Sequence, residues 1–352
     1  MALEFGLDTF GDVTADAEGT LISHAQTIRN VVEQAVLADS LGVDFIGIGE
    51  HHRDDFAVSS PEMVLAAIAS RTSHIKLGSA VTVLSSDDPV RVFERFSTLD
   101  AVSNGRAEII LGRGSFTESF PLFGFELTDY QVLFDEKIDL MAALLKGGPV
   151  TWDGTKRSSL KNQLVFPPVE SGTIKTWAGV GGSPESVVRA ANYRMPLMLA
   201  IIGGDPLRFE PYANLYRRAN DEIGQEQLPI GAHSPGHIAA TDEQAREQLY
   251  PHFKANRDRI GAERGWPPVS RDEYEHEADR GALFVGSPDT VAHKIVRAVK
   301  GLGLDRFDLK YSNGTMPHEQ LMTSIELYGR EVIPRVREML SSSTGNSEVG
   351  NS

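Results

Sequence analysis

The amino-acid sequence predicts a (β/α)8 TIM barrel, and three observations carry that prediction. Short apolar runs alternate with helix-spaced runs along nearly the whole chain, which implies a parallel sheet with a helix returning between strands. Eight such units fit within 352 residues. The turn after the first run, FGLDTFGDV, lacks the glycine fingerprint that an open doubly wound sheet places there.

Taken in order, residues 3–7 are the first strand and 20–41 the first helix, with Ile28, Val31, Val32, Ala35 and Leu37 at helical spacing before a Gly42 cap. Residues 43–49 are the second strand and 61–71 the second helix. The third strand covers 75–84, and Asp88-Pro89 opens the third helix. AEIILG at 107–112 is the fourth strand, backed by a helix over 130–146. Residues 147–171, rich in Gly, Pro, Thr and Ser, break the rhythm as an excursion with short strands. Strand 174–180, helix 184–193, strand 196–202, helix 206–223, strand 230–240 and helix 242–264 then follow. The charged, proline-bearing stretch 265–280 reads as a mobile loop before the last strand. Residues 282–285 read as a lead-in to a helix at Ser287-Pro288, 307–311 as the last strand, and 317–340 as the last helix. One domain therefore spans 1–340, and the polar tail 341–352 is expected to be disordered.

Helix starts carry their own punctuation. Ser60-Pro61, Asp88-Pro89, Ser183-Pro184, Asp205-Pro206 and Ser287-Pro288 each set a capping side chain before a proline suited to the first helical position.

Composition narrows the function. With 34 basic and 49 acidic residues the formal net charge is −15, and no basic stripe or tail invites nucleic acid or an anionic membrane. The chain has no cysteine, which excludes disulfides, thiolate-bound zinc, Cys-ligated iron–sulfur clusters and a thiol nucleophile. MALEFGLDTF carries no basic region followed by a long apolar run, and no apolar stretch has membrane-spanning length. A cytoplasmic enzyme with a small-molecule substrate is the expectation.

The chemistry is expected where the second strand ends. VDFIGIG runs directly into Glu50, His51, His52 and Arg53, the rim of a parallel barrel where catalytic loops sit. Capping or solvation is the plain alternative for such a pair. Adjacent histidines point to opposite sides of an extended chain, so one metal is not expected to hold both, and a single imidazole moving a proton fits better. Arg113, between Gly112 and Gly114 after the fourth strand, suits a phosphate that the backbone approaches closely; a salt bridge is its structural alternative. The stretch Gly179-Val180-Gly181-Gly182-Ser183-Pro184-Glu185-Ser186 runs from a strand into a helix, and its free N–H groups form an anion site. No Gly-Lys-Ser/Thr follows, so it is not a Walker motif. His233 and His237 share a face if their strand stays regular through Pro235.

EHH at 50–52, KLGSAVTVLSSDDPVR at 76–91, NGRAEIILGRGSF at 104–116 and NGT at 313–315 together resemble the luciferase-like flavin-dependent monooxygenases, in order and spacing. The alpha subunit of bacterial luciferase is the most similar familiar pattern. The resemblance implies a barrel that takes reduced FMN as a co-substrate from a separate reductase and uses O2 on a small organic molecule. It implies His51 as the catalytic imidazole. Cofactor contacts would fall on Gly112, Arg113 and Ser115 after the fourth strand, on Gly182, Ser183 and Ser186 after the fifth, and on a non-proline cis peptide near Ala80-Val81. It also implies a homodimer through the second and third helices. Two features depart from luciferase: Gly112 stands where it carries a thiol, and Ile201 where it carries an aromatic by the flavin. Aldehyde-driven light emission is therefore not implied.

Three readings compete with the FMN monooxygenase. A deazaflavin could serve the same barrel as a hydride carrier. A metal-dependent barrel hydrolase would need His51, His52, His233 and His237 to converge. A non-catalytic flavin-binding protein would need none of them.

Overall fold

The structure, a computed structural model, describes residues 3–114 and 116–345. Eight parallel strands close into a ring: Glu4–Thr9, Phe45–Ile48, Lys76–Ser79, Ala107–Gly112, Lys175–Val180, Leu197–Ala200, Ile230–Ile238 and Arg306–Lys310. The first strand pairs with both the second and the last, which shuts the barrel. The expected fold is the observed one.

Details differ from expectation in four places. The third strand is not continuous: Lys76–Ser79 stops and Thr82–Val83 resumes against the fourth strand, while the Ala80-Val81 peptide between them is cis, as the resemblance implied. The stretch 265–280 is not a loop throughout, because Arg271–Asp279 is a helix capped by Ser270, which accepts from Glu273 N. Residues 282–285 do not simply lead into a helix. Phe284–Gly286 forms a short strand beside the end of Ile230–Ile238, outside the ring. The last helix, Ile333–Gly345, carries on past Leu340, and residues 346–352 lie outside the described ones. The excursion is an antiparallel hairpin of Val150–Trp152 and Leu160–Gln163.

Four of the five Ser/Asp-Pro pairs cap as their chemistry dictates. Asp88 accepts from Val90 N and Arg91 N, Ser183 from Ser186 N, Asp205 from Leu207 N and Ser287 from Thr290 N. Ser60 makes no side-chain cap bond.

The barrel holds two apolar bodies with different roles. Most of the core lies between the sheet and its helices. A second, small cluster of Phe45, Ile110, Trp177 and Met198 sits in the lumen, with Ala80 and Val81 packed on it. Trp177 and Arg306 belong to strands that are not neighbours, yet the guanidinium lies 4.6 Å from the indole, a contact that must cross the interior. Fully buried Arg306 is paired with Glu4 Oε2 at 2.5 Å and Glu108 Oε2 at 2.8 Å. Burial alone would raise the Glu4 carboxyl, but Arg306, Lys76 and Lys175 hold it at about 2. A charged floor therefore closes the barrel below the apolar plug, and the chemistry is left to the other end.

Candidate active site

The anion end is built from two strand termini. After Gly112 the chain turns at Gly114, whose φ of 75° suits glycine, and Tyr130 donates its hydroxyl to the Gly114 carbonyl at 2.7 Å. That turn presents Arg113, which donates to Gln131 Oε1 at 3.2 Å and to Ser186 Oγ at 3.5 Å. Both of these partners are neutral, and Glu185, whose carboxyl feels the Arg113 charge, makes no hydrogen bond to it among the described residues. Opposite it, the fifth strand ends in Gly181 and Gly182, and helix Pro184–Asn192 begins at the Ser183 cap. A Cβ at Gly181 would meet nothing within 4 Å, so this backbone is open to a ligand. Arg113 is thus brought to Ser186, 73 residues on in the sequence, and to the Ser183 cap beside it. Ser115 lies outside the described residues.

A collar of glycines makes room for Ala80 and Val81. A Cβ at Gly47 would lie 2.7 Å from Ala80 Cβ, and one at Gly112 only 2.5 Å from Val81 Cγ2. Bare backbone on the second and fourth strands is what lets this segment lie inside the ring, on top of the lumen cluster.

His51 is caged rather than solvated. Its ring centroid is 4.4 Å from Phe56, 4.9 Å from Phe116 and 5.1 Å from Phe10. Its Nδ1 stands 3.4 Å from Glu118 Oε1. Burial tends to raise the Glu118 carboxyl, but the His51 hydrogen bond and the His52 backbone hold it below the usual range. His52 points away, with Nε2 2.9 Å from Glu50 Oε1 and its ring against Phe123. The neighbouring imidazoles thus take different carboxylate partners. Over this cage, Arg53 makes a two-pronged bond to Glu263 at 2.8 and 2.6 Å. Arg53 and Arg264 each lie 5.0 Å from the Phe116 ring. Helix Asp242–Arg264 is thereby tied down beside the second-strand loop.

The four histidines of the metal reading do not converge. His233 Nδ1 is 2.5 Å from Asp8 Oδ2, while buried His237 pairs through Nε2 with Gln248 at 2.8 Å. The strand does not give them a common environment. Sequence reasoning passed over Glu118, Phe10, Phe56, Phe116, Gln131 and Asp8. Only Asp8 leaves a sequence signal: Glu4, Gly6 and Asp8 alternate along the first strand, an inward row of groups that an apolar core would not take.

The parallel barrel thus carries a cation, open backbone and hydroxyls at one part of its rim and a caged imidazole at another. The luciferase-like monooxygenase family model matches residues 7–306, and the chain belongs to that family. A 4-hydroxyprotoasukamycin monooxygenase from Streptomyces nodosus subsp. asukaensis is 26% identical over 337 residues, covering 90% of this chain and 88% of that one. Among solved structures, a monooxygenase from Streptomyces bottropensis superposes with a TM-score of 0.82 at 23% identity, over 94% of this chain and 99% of its own. The oxygenating constituent of 3,6-diketocamphane monooxygenase from Pseudomonas putida, solved with FMN, gives 0.76 at 21% identity, over 96% and 99%. The coenzyme F420 dependent tetrahydromethanopterin reductase from Methanopyrus kandleri gives 0.68 at 19% identity, over 96% and 100%. Membership places the chain among monooxygenase-type oxidoreductases. Among the described residues no helix is long and apolar enough to cross a membrane.

Proposed function

We propose that the chain is an FMN-dependent monooxygenase that receives reduced FMN from a separate reductase and oxidises a small organic substrate. The observation that carries this is Arg113, a guanidinium whose hydrogen-bond partners Gln131 and Ser186 are both neutral, near the open Gly181 backbone. A dianionic phosphate supplies what that donor set lacks: a negative charge with several acceptor oxygens. Arg113, Ser183, Ser186 and the Gly182 backbone would hold the phosphate, with Ser115, next in sequence after Gly114, proposed alongside them. Ala80, Val81 and Gly112 would bear on the ring. Bound reduced FMN would supply the electrons that activate O2. His51 holds or moves a proton through Nε2 while Glu118 fixes Nδ1, and the three phenylalanines keep water from it.

The reading includes a homodimer through helices Pro61–Ala69 and Pro89–Ser103, whose exposed Met63 and Val102 suit an apolar interface, and a cytoplasmic setting. A second reading, a deazaflavin used as a hydride carrier, is favoured by the likeness to the coenzyme F420 dependent reductase. Titration with FMN and reduced FMN separates the two. Saturable binding that weakens about a hundredfold in Arg113→Ala is expected for a charge-assisted phosphate contact. Tight deazaflavin binding with negligible FMN binding would instead favour the second reading.

A further inference from the structure

The barrel mouth carries two imidazole–carboxylate pairs, and the better formed of them is not the one at His51. His51 Nδ1 stands 3.4 Å from Glu118, whereas His233 Nδ1 stands 2.5 Å from Asp8 Oδ2. Asp8 comes from the first strand and is 1% exposed, and the His233 side chain is 13% exposed. With Nδ1 committed to Asp8, the tautomer is set and Nε2 is left as the working atom. The two pairs meet across one ring: Phe10 lies nearly parallel to His233 at 6.2 Å and edge-on to His51 at 5.1 Å.

The Asp8 carboxylate is held through one oxygen only. Asp8 Oδ1 is buried without a hydrogen-bond partner among the described residues, and so is Asp308 Oδ1 on the adjacent last strand. Asp308 is paired in register with His233, and its carboxyl fills the space above Gly6, where a Cβ would lie 2.0 Å from Oδ1. Burial, reinforced by Asp8 and opposed by Arg306, keeps the Asp308 carboxyl protonated well above the usual carboxylate range. The groups around His233 are therefore Asp8 from the first strand and Asp308 from the last, while Lys310, paired with Asp12, and His51 lie against Phe10.

We propose that His233, oriented by Asp8, is a second acid–base residue of the site, facing His51 across Phe10. Nε2 takes one proton from the bound reactants, the imidazolium is balanced by the Asp8 carboxylate, and the same proton returns to the product or to water. Asp8 is a positioning residue. This inference rests on the FMN reading, and the experiment tells the two apart.

Wild type, His233→Gln and Asp8→Asn are saturated with reduced FMN without oxygen and mixed with aerated buffer between about pH 5 and 8, where an imidazole titrates. Flavin reoxidation is followed by absorbance, and FMN affinity by fluorescence. His233→Gln should bind FMN as wild type does, change the reoxidation rate at least about tenfold, and lose the pH-dependent limb that His233 contributes. Asp8→Asn should bind FMN as wild type does but slow reoxidation, because an amide that can donate to Nδ1 no longer sets the tautomer that leaves Nε2 working. An unchanged rate and pH profile in His233→Gln, with FMN bound, overturns the proposal and leaves the FMN reading standing. Failure of wild type to bind either form of FMN brings down both. Should His233→Gln not fold, ring-nitrogen NMR of the wild-type chain decides: the strongly hydrogen-bonded imidazole, identified through Asp8→Asn, must shift on FMN saturation, and no shift overturns the proposal.

Discussion

Gly112 and Gly181 show two different reasons for a glycine in this site, and substitution separates them. A Cβ at Gly112 would press on Val81 at 2.5 Å, so the position is reserved by packing. Gly112→Ala should destabilise the fold by about 1–3 kcal/mol, the usual range for overpacking, and disturb the Ala80–Val81 segment. A Cβ at Gly181 would touch nothing within 4 Å, so stability should stay within about 0.5 kcal/mol of wild type. If a phosphate lies on this backbone, Gly181→Ala should nevertheless weaken FMN binding. Chemical denaturation and FMN titration of both variants check the pair, and normal FMN affinity in Gly181→Ala would move the phosphate elsewhere. At this scale the sequence was informative where a residue type is unusual for its place. His51 and Arg113 stood out because ionisable groups follow buried strands at the rim. Phe10, Phe116 and Glu118 did not, because an aromatic or an acid in a loop is ordinary until its partner is known. Asp8 and His233 are 225 residues apart, and only closure of the barrel brings them to one spot.

Helix starts were the most legible elements, yet equal-looking caps are not equal in the fold. Asp88 holds Val90 N at 2.9 Å and Arg91 N at 3.3 Å, and its other oxygen takes Arg157 Nε at 2.7 Å from the hairpin excursion. Ser60 precedes a proline in the same way but makes no cap bond. Asp88→Ala should therefore cost about 1–2 kcal/mol, the upper part of the capping range, while Ser60→Ala should be near neutral. Urea melts of the two variants test this, and equal losses would show that the Asp88 contacts add nothing. The elements that escaped the sequence reading did so for separate reasons. The break in the third strand follows from glycine faces on its neighbours, Gly47 and Gly112, which no run within 75–84 reveals. Phe284–Gly286 is too short to announce itself and is a strand only because the end of Ile230–Ile238 overhangs the ring. The helix Arg271–Asp279 hides in a charged stretch because its apolar face is reduced to Tyr274 and Ala278.

For the whole molecule, buried ionisable groups set how stability depends on pH. Burial, with a smaller push from His252 and an opposing hydrogen bond to Gln248, lowers the His237 imidazole to about 4. In the unfolded chain it titrates near about 6.5. Between those values the unfolded chain binds a proton that the folded chain does not. The contribution is thus complete above about pH 6.5 and is lost as pH falls toward about 4, by roughly 3 kcal/mol in all. Glu4, held at about 2 against burial by Arg306, Lys76 and Lys175, continues the decline at more acid pH. Its share is present above about pH 4.3 and lost as pH falls through its folded value. Asp308 works in the other direction, because the folded chain keeps a proton there that the unfolded chain releases on the way to neutral pH. His237 has the largest shift in the upper limb, to which His252 and His318, also lowered by burial, add. His237→Gln can keep a hydrogen bond to Gln248 and has no charge to gain. Urea denaturation at about pH 7, 5 and 4 should therefore show wild type losing roughly 3 kcal/mol more than the variant across that interval. Parallel losses would mean that the folded chain protonates His237 in place, by opening the seam between Ile230–Ile238 and helix Asp242–Arg264 to water.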